Sequence, residues 1–427
     1  MITAVDAWEA LDSRSRPTVA ARVVLSDGTE GVALAPSGAS TGSHEAIELR
    51  DGEARYAGCG VRRAVANVAS VIAPSLIGTD PAATDSVLAT LDPSPAFRTL
   101  GANAVLAVSL AAARAAAATR GTSLARWLTG EGSPLLLPMP MVNILSGGAH
   151  AGRMLDVQDF LVVPVGAHTF AEALEWSAAV RHSAMRLALA RGHEHAVLVA
   201  DEGGLGLALD SNRSALHLLT DAIEAAGFTP GAQVSIAIDI AATQFFSHGQ
   251  YWLARENRAL TADELVAEVA DWCDRFPVVS VEDLLAEDDW EGWQTATKLL
   301  GERIELVGDD LFVTQTDRLR RGIDSGAANS VLVKVNQNGL VSGARQVVDL
   351  ARSAGYRTVV SARSGETEDD WLADLAIGWR AAQIKVGSTH RSERTAKWNR
   401  LLQFEATEHT TFAGPWPNGR PGRETAQ

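Results

Sequence analysis

The chain has only two cysteines in 427 residues, Cys59 and Cys273. Two thiols cannot supply a disulfide framework, so a reducing cytoplasm is the expected home. Cys273 sits at helical spacing with Leu265, Val266, Val269 and Trp272, which reads as a core position. Basic residues are also in deficit. The balance of 37 Lys and Arg against 52 Asp and Glu leaves a net charge of -15, which argues against nucleic acid or an anionic membrane as partner. A small ligand held by local charge fits better. No apolar run reads as a membrane span, because the most hydrophobic long segment, 100–118, is Ala-rich and carries Asn103, Ser109 and Arg114. A buried helix is expected there. The start, Met1-Ile2-Thr3-Ala4-Val5-Asp6, lacks the basic beginning and apolar centre of a signal peptide, so export is not expected. Internal repeats and long low-complexity stretches are missing too.

What is present is organised in two parts. Residues 19–25 and 31–35 read as strands joined at Ser26-Asp27-Gly28, since Asp-Gly supplies the positive φ a hairpin needs. Helical patterns follow at 61–72 and 105–118, giving a small α+β unit. The Pro-interrupted stretch 135–140 punctuates the chain, and a domain boundary is expected just before it. The expected units are therefore 1–134, 135–415 and a short tail at 416–427, with loose order setting in from about residue 406 as Gly, Pro, Asn and Arg become frequent. Within the second unit, helices are expected at 170–190, 214–226 and 262–275, the last opening on Thr261 and Glu264 in capping-box spacing.

Six short apolar runs in this second unit each lead to a polar or charged residue. The runs 234–238, 278–281 and 304–307 lead to Asp239, Glu282 and Asp309. The run 331–333 ends at Lys334, 358–361 leads to Arg363 and Ser364, and 383–384 ends at Lys385. The stretches between them are long enough for a helix and two loops, which is the spacing of a barrel of alternating strands and helices. Such barrels carry their chemistry at the carboxyl ends of the strands. Three acids, two lysines and an arginine are thus expected to share one mouth.

Asp239, Glu282 and Asp309 offer only hard carboxylate oxygens, a set that suits Mg²⁺. Each alone could equally be a helix cap or a salt-bridge partner; their recurrence at successive strand ends favours the metal. Lys334 follows a buried strand, where burial and neighbouring cations lower a lysine's pKa toward the range of a base. A structural ion pair is the competing reading. Asp201-Glu202-Gly203-Gly204 combines acids with glycines that let backbone approach a ligand, but an ordinary solvated turn has the same composition. Residues 37–42, Ser-Gly-Ala-Ser-Thr-Gly, suit a mobile lid or a plain loop, and Gly147-Gly148-Ala149-His150 is similarly ambiguous.

In order along the chain, several stretches resemble the enolase family. They are Asp12-Ser13-Arg14, 36–42, His44-Glu45-Ala46, 100–104, 280–283, 287–293, 308–314, 334–337, 363–368 and 383–385. The resemblance implies a modified (β/α)8 barrel of the α/β class preceded by a smaller α+β domain, assembled as a homodimer. It implies a cytoplasmic lyase with two Mg²⁺ per site that interconverts 2-phosphoglycerate and phosphoenolpyruvate. Asp239, Glu282 and Asp309 would hold the first ion, and Ser40 in the lid would reach the second. Lys334 would take the C2 proton, and Glu202 would help the C3 hydroxyl leave. Lys385 would hold the substrate carboxylate, Arg363 and Ser364 its phosphate. His150 would close over the site, and Gln158 would complete the polar wall.

The departures from the family pattern cluster on one side. Asp159 stands where enolases carry glutamate, Ala362 where they carry histidine, and Gln244 where they carry an acid. The usual loop is reduced to Ala200-Asp201-Glu202-Gly203-Gly204-Leu205-Gly206-Leu207-Ala208. The proton-abstraction side is complete, whereas the hydroxyl-departure side is thinned. Expected consequences are a slow enolase or a retuned substrate, such as the phosphonylated carboxylate handled by carboxyphosphonoenolpyruvate synthases of phosphonate biosynthesis.

Overall fold

The computed structural model describes residues 1–39 and 42–416. Ile2–Leu11, Pro17–Leu25 and Glu30–Leu34 form an antiparallel meander in chain order. Gly28 takes φ 84° in the turn before the third strand, the left-handed geometry that glycine accepts without steric cost. The helix Ala102–Ala118 packs on this sheet and is buried along nearly its whole length. The approach is backbone to backbone: a Cβ on Gly31 would fall 2.1 Å from the Ala111 carbonyl oxygen. Alanine and glycine on the two facing surfaces are what permit that distance. Arg114 ties the helix onward, donating to Val32 O at 2.7 Å, Asp369 at 2.6 Å and Asp370 at 2.7 Å.

Eight strands close the barrel: Met139–Ser146, Asp159–Val163, Ser235–Asp239, Val278–Glu282, Glu305–Gly308, Ser330–Val333, Arg357–Ser361 and Gln383–Gly387. The third to eighth run parallel, and the eighth returns to pair in parallel with the first, Gln383 opposite Met139. The second strand is antiparallel to both neighbours. Its link, residues 147–158, holds only the short helical turn Gly148–Ala151 and returns the chain as a hairpin rather than a helical crossover. This reversal puts the start of the second strand at the mouth, so Asp159 stands in register with both Ser146 and Asp239.

Two helices, Phe170–Ala190 and Asn212–Ala225, fill the next link. Ala262–Arg275 opens with the expected capping box, Thr261 Oγ1 accepting from the Glu264 N–H while the Glu264 carboxylate accepts from the Thr261 N–H. The barrel interior is packed by Met141, Leu161, Ala237, Val307, Leu332 and Val359. Cys273 is only partly buried at the edge of the outer core.

One expectation needs correction. Just after the expected boundary, Leu135–Leu137 pairs with Thr410–Phe412, and Met139 opens the barrel. The chain beyond residue 406 is ordered as far as 416, because that pairing and the burial of Trp416 against the barrel core fix it. Residues 417–427 lie outside the described ones. Among the described residues no helix is long and apolar enough to cross a membrane.

Candidate active site

The strand ends deliver the selected residues to one mouth as buried charge pairs. Lys385 Nζ lies 2.7 Å from Asp239 Oδ2 and 2.7 Å from Glu282 Oε2. Burial alone would lower the lysine pKa, but Asp239 and then Glu282 raise it well above the ordinary value. Burial and the adjacent Asp239 push the Glu282 carboxyl well up. Lys334 clasps the Asp309 carboxylate. There too burial opposes the charge, yet Asp309 outweighs it and raises the lysine pKa. The lowered value expected for Lys334 is therefore corrected: in this arrangement the carboxylate partner, not burial, decides the sign. Asp309 is fixed further by Gln337 Nε2 at 2.9 Å, and its own N–H donates to Asp283 Oδ1 at 2.9 Å.

Asp239 and Glu282 end two adjacent strands, Asp309 directly follows the next, and all three present only carboxylate oxygens. Glu282 Oε1 is buried and has no hydrogen-bond partner among the described residues. A cation would satisfy an orphaned buried acceptor of this kind, and the donor set fits Mg²⁺. Two tighter groups offer ligand atoms within 4.8 Å of one another: Asp283, Asp309 and Asp310, and separately His150, Asp159 and Glu202. Burial, then Asp309, pushes Asp310 up to about 7. Ser40, expected to reach a second ion, lies outside the described residues.

On the facing wall, His150 Nδ1 lies 3.0 Å from Asp159 Oδ2 and its Nε2 lies 3.6 Å from Glu202 Oε1. Burial works to lower the His150 pKa, but Asp159 and Glu202 raise it to about 9. Burial works to raise the Glu202 pKa, but His150, Arg394, Lys385 and Lys334 together shift it down. Gln158 Nε2 donates to Asp239 Oδ2 at 3.1 Å. Gly203 and Gly204 stand close against protein: a Cβ would fall 2.5 Å from His390 O and 2.4 Å from Asn143 Oδ1.

Arg363 Nη1 donates to Glu45 Oε2 at 2.9 Å and to Asn336 Oδ1 at 2.9 Å. Ser364 Oγ accepts from Ala39 N at 2.7 Å and from Arg14 Nη1 at 3.3 Å. The residues of both walls line one cavity of ≈ 20 Å³, space for about one water. Glu282 and Asp309 reach it through the lysines they hold. Three partners carry no role in the sequence reading: Glu45, Arg14 and Arg394, whose Nη1 holds Arg363 O at 2.6 Å. Glu45 and Arg14 fall inside quoted stretches; Arg394 lies on the helix Ser392–Thr407 with no local signal.

Two family models match the chain: the enolase N-terminal domain over residues 2–128, and the enolase C-terminal TIM barrel domain over residues 134–416. The chain belongs to the enolase family. Its fold is the α+β domain followed by the closed barrel described above, and its reaction class is that of an enolase-superfamily lyase acting on a small carboxylate. Within this enolase-family site, each departure has a definite surrounding. Gln244 Nε2 donates to Gln158 Oε1 at 2.6 Å, so two amides pair beside the wall. Asp159 is satisfied by His150 and by the Asn143 amide. Ala362 is buried and lines the cavity next to Arg363.

Proposed function

We propose that the chain is a cytoplasmic, homodimeric, Mg²⁺-dependent lyase that dehydrates 2-phosphoglycerate, or a close analogue, to phosphoenolpyruvate. The pairing of two buried lysines with three strand-end carboxylates carries this reading. A lysine base working beside Mg²⁺ is the established pattern of the enolase superfamily. Asp239, Glu282 and Asp309 would hold one ion and Ser40 a second. Bound there, the metal would stabilise charge gathering on the substrate carboxylate and relieve Lys334 of the counter-charge that keeps it protonated. Lys334 then takes the C2 proton on Nζ. The electron pair left at C2 becomes the C2=C3 bond as the C3–O bond breaks. Glu202, supplied from His150 at 3.6 Å, protonates the departing hydroxyl, which leaves as water. Lys385 orients the carboxylate, while Arg363 and Ser364 grip the phosphate and Gln158 and Asp159 complete the wall. Adding 2-phosphoglycerate and Mg²⁺ should produce the ultraviolet absorbance of phosphoenolpyruvate; a flat trace at high enzyme concentration overturns this assignment.

A second reading is favoured by one observation, the small Ala362 side chain lining the cavity beside Arg363 and Ser364. Alanine takes up less of the cavity than histidine would, which favours a larger phosphorus group of the kind a carboxyphosphonoenolpyruvate synthase handles. Under this reading Ala362→His excludes the larger ligand or raises lyase activity, and a variant that does neither rejects it.

A further inference from the structure

Glu45 is buried, and its carboxylate serves three partners at once. It takes Arg363 in a two-pronged grip, Oε2 accepting from Nη1 at 2.9 Å and Oε1 from Nη2 at 3.3 Å. Oε1 also accepts the Gly42 N–H at 2.9 Å, directly after the undescribed pair 40–41. The same oxygen receives Gln337 Nε2 at 3.3 Å, and Gln337 in turn donates to Asp309 Oδ1 at 2.9 Å. One carboxylate thus joins Gly42 to the Arg363 guanidinium and, through the Gln337 amide, to Asp309.

A buried guanidinium left alone is costly, whereas a two-pronged carboxylate grip satisfies both its charge and its geometry. A substrate phosphate approaching the same guanidinium meets a carboxylate already seated there, and two anions on one cation repel. Glu45 therefore weakens anion binding while it stabilises the free protein. When the arriving anion draws Arg363 away, the carboxylate that also anchors Gly42 loses its strongest partner.

We propose that Glu45 is a positioning residue that sets the phosphate affinity of Arg363 by competing for its guanidinium. The proposal rests on the reading of Arg363 as the anion-binding group.

Calorimetry with inorganic phosphate on the full chain tests it, using wild type, Glu45→Gln, Glu45→Asp and Arg363→Met. Glu45→Gln keeps an acceptor for Gly42 but no charge, and should bind phosphate about tenfold more tightly. Its melting temperature should start lower than that of wild type and rise further on adding phosphate, since a ligand that replaces a lost counter-charge stabilises more. With substrate, KM and kcat should both fall, whereas a merely structural role would raise KM. Should the Gln variant not fold, the shorter Glu45→Asp, with a looser grip, should still bind phosphate more tightly than wild type. Unchanged or weaker phosphate binding in the Glu45 variants, with binding abolished in Arg363→Met, overturns the proposal alone. Binding that survives in Arg363→Met, or is absent from every variant, overturns the reading of Arg363 as well.

Discussion

Lys385 Nζ and Asp239 Oδ2 meet at 2.7 Å across the barrel mouth, with Glu282 as the lysine's second partner. One cation therefore holds two acids that would otherwise repel. Lys385→Met should cost about 3–5 kcal/mol in urea unfolding without metal, the range for breaking a buried pair by removing one partner. Mg²⁺ should restore more stability to the variant than it adds to wild type, because it supplies the charge the lysine gave. A loss under about 1 kcal/mol, as for a surface pair, would contradict the pairing.

His150 gives a pH signature. Its pKa is ordinarily 6.5 and rises to about 9 here, burial being outweighed by Asp159 and Glu202. A raised histidine pKa stabilises the fold fully below the unfolded value, and that stability is lost as pH climbs through the folded value. The melting-temperature gap between wild type and His150→Gln should stay constant below about pH 6.5 and close through pH 9. A gap that widens over that window has the wrong sign.

Arg394 should support the anion-binding loop from behind. It donates to Arg363 O at 2.6 Å and Val386 O at 3.0 Å, and also to Ser364 O. Arg394→Met strands these buried acceptors at about 1–3 kcal/mol each. Phosphate titration should show weaker binding alongside the lower stability; full affinity in a destabilised variant would remove the link to the loop.

Gly31 tests the first domain. Gly31→Ala forces a Cβ to within 2.1 Å of Ala111 O, so chemical denaturation should show about 1–3 kcal/mol lost to overpacking. A neutral result would mean that the helix and strand are further apart.

The parallel half of the barrel is legible because each strand is a short apolar run with a functional residue after it, so run and chemistry reinforce each other. The capping box at Thr261 and the helix Phe170–Ala190 are legible from local signals alone. The first strand, Ile2–Leu11, is not: its burial alternates irregularly, with few deeply buried positions, and no period stands out. The reversed second strand is also hidden, since a fully buried run such as Asp159–Val163 carries no direction. The Lys334 partnership could not be read either. Sequence shows that the lysine is buried, but only the fold brings Asp309 to it and sets the sign of its shift. Arg394 escapes for the same reason, because its carbonyl partners are backbone and leave no trace in residue identity.

Lys334 is proposed to remove hydrogen from carbon next to a carboxylate at this mouth. Proton NMR of 2-phosphoglycerate in D₂O with Mg²⁺ follows that event directly, whether or not water is then lost. The wild-type chain should wash the C2 hydrogen out, and Lys334→Met should slow the loss by about 10² to 10⁴, the usual contribution of a positioned base. Exchange at the wild-type rate in the variant, or no exchange by the wild type at high concentration, would contradict the account.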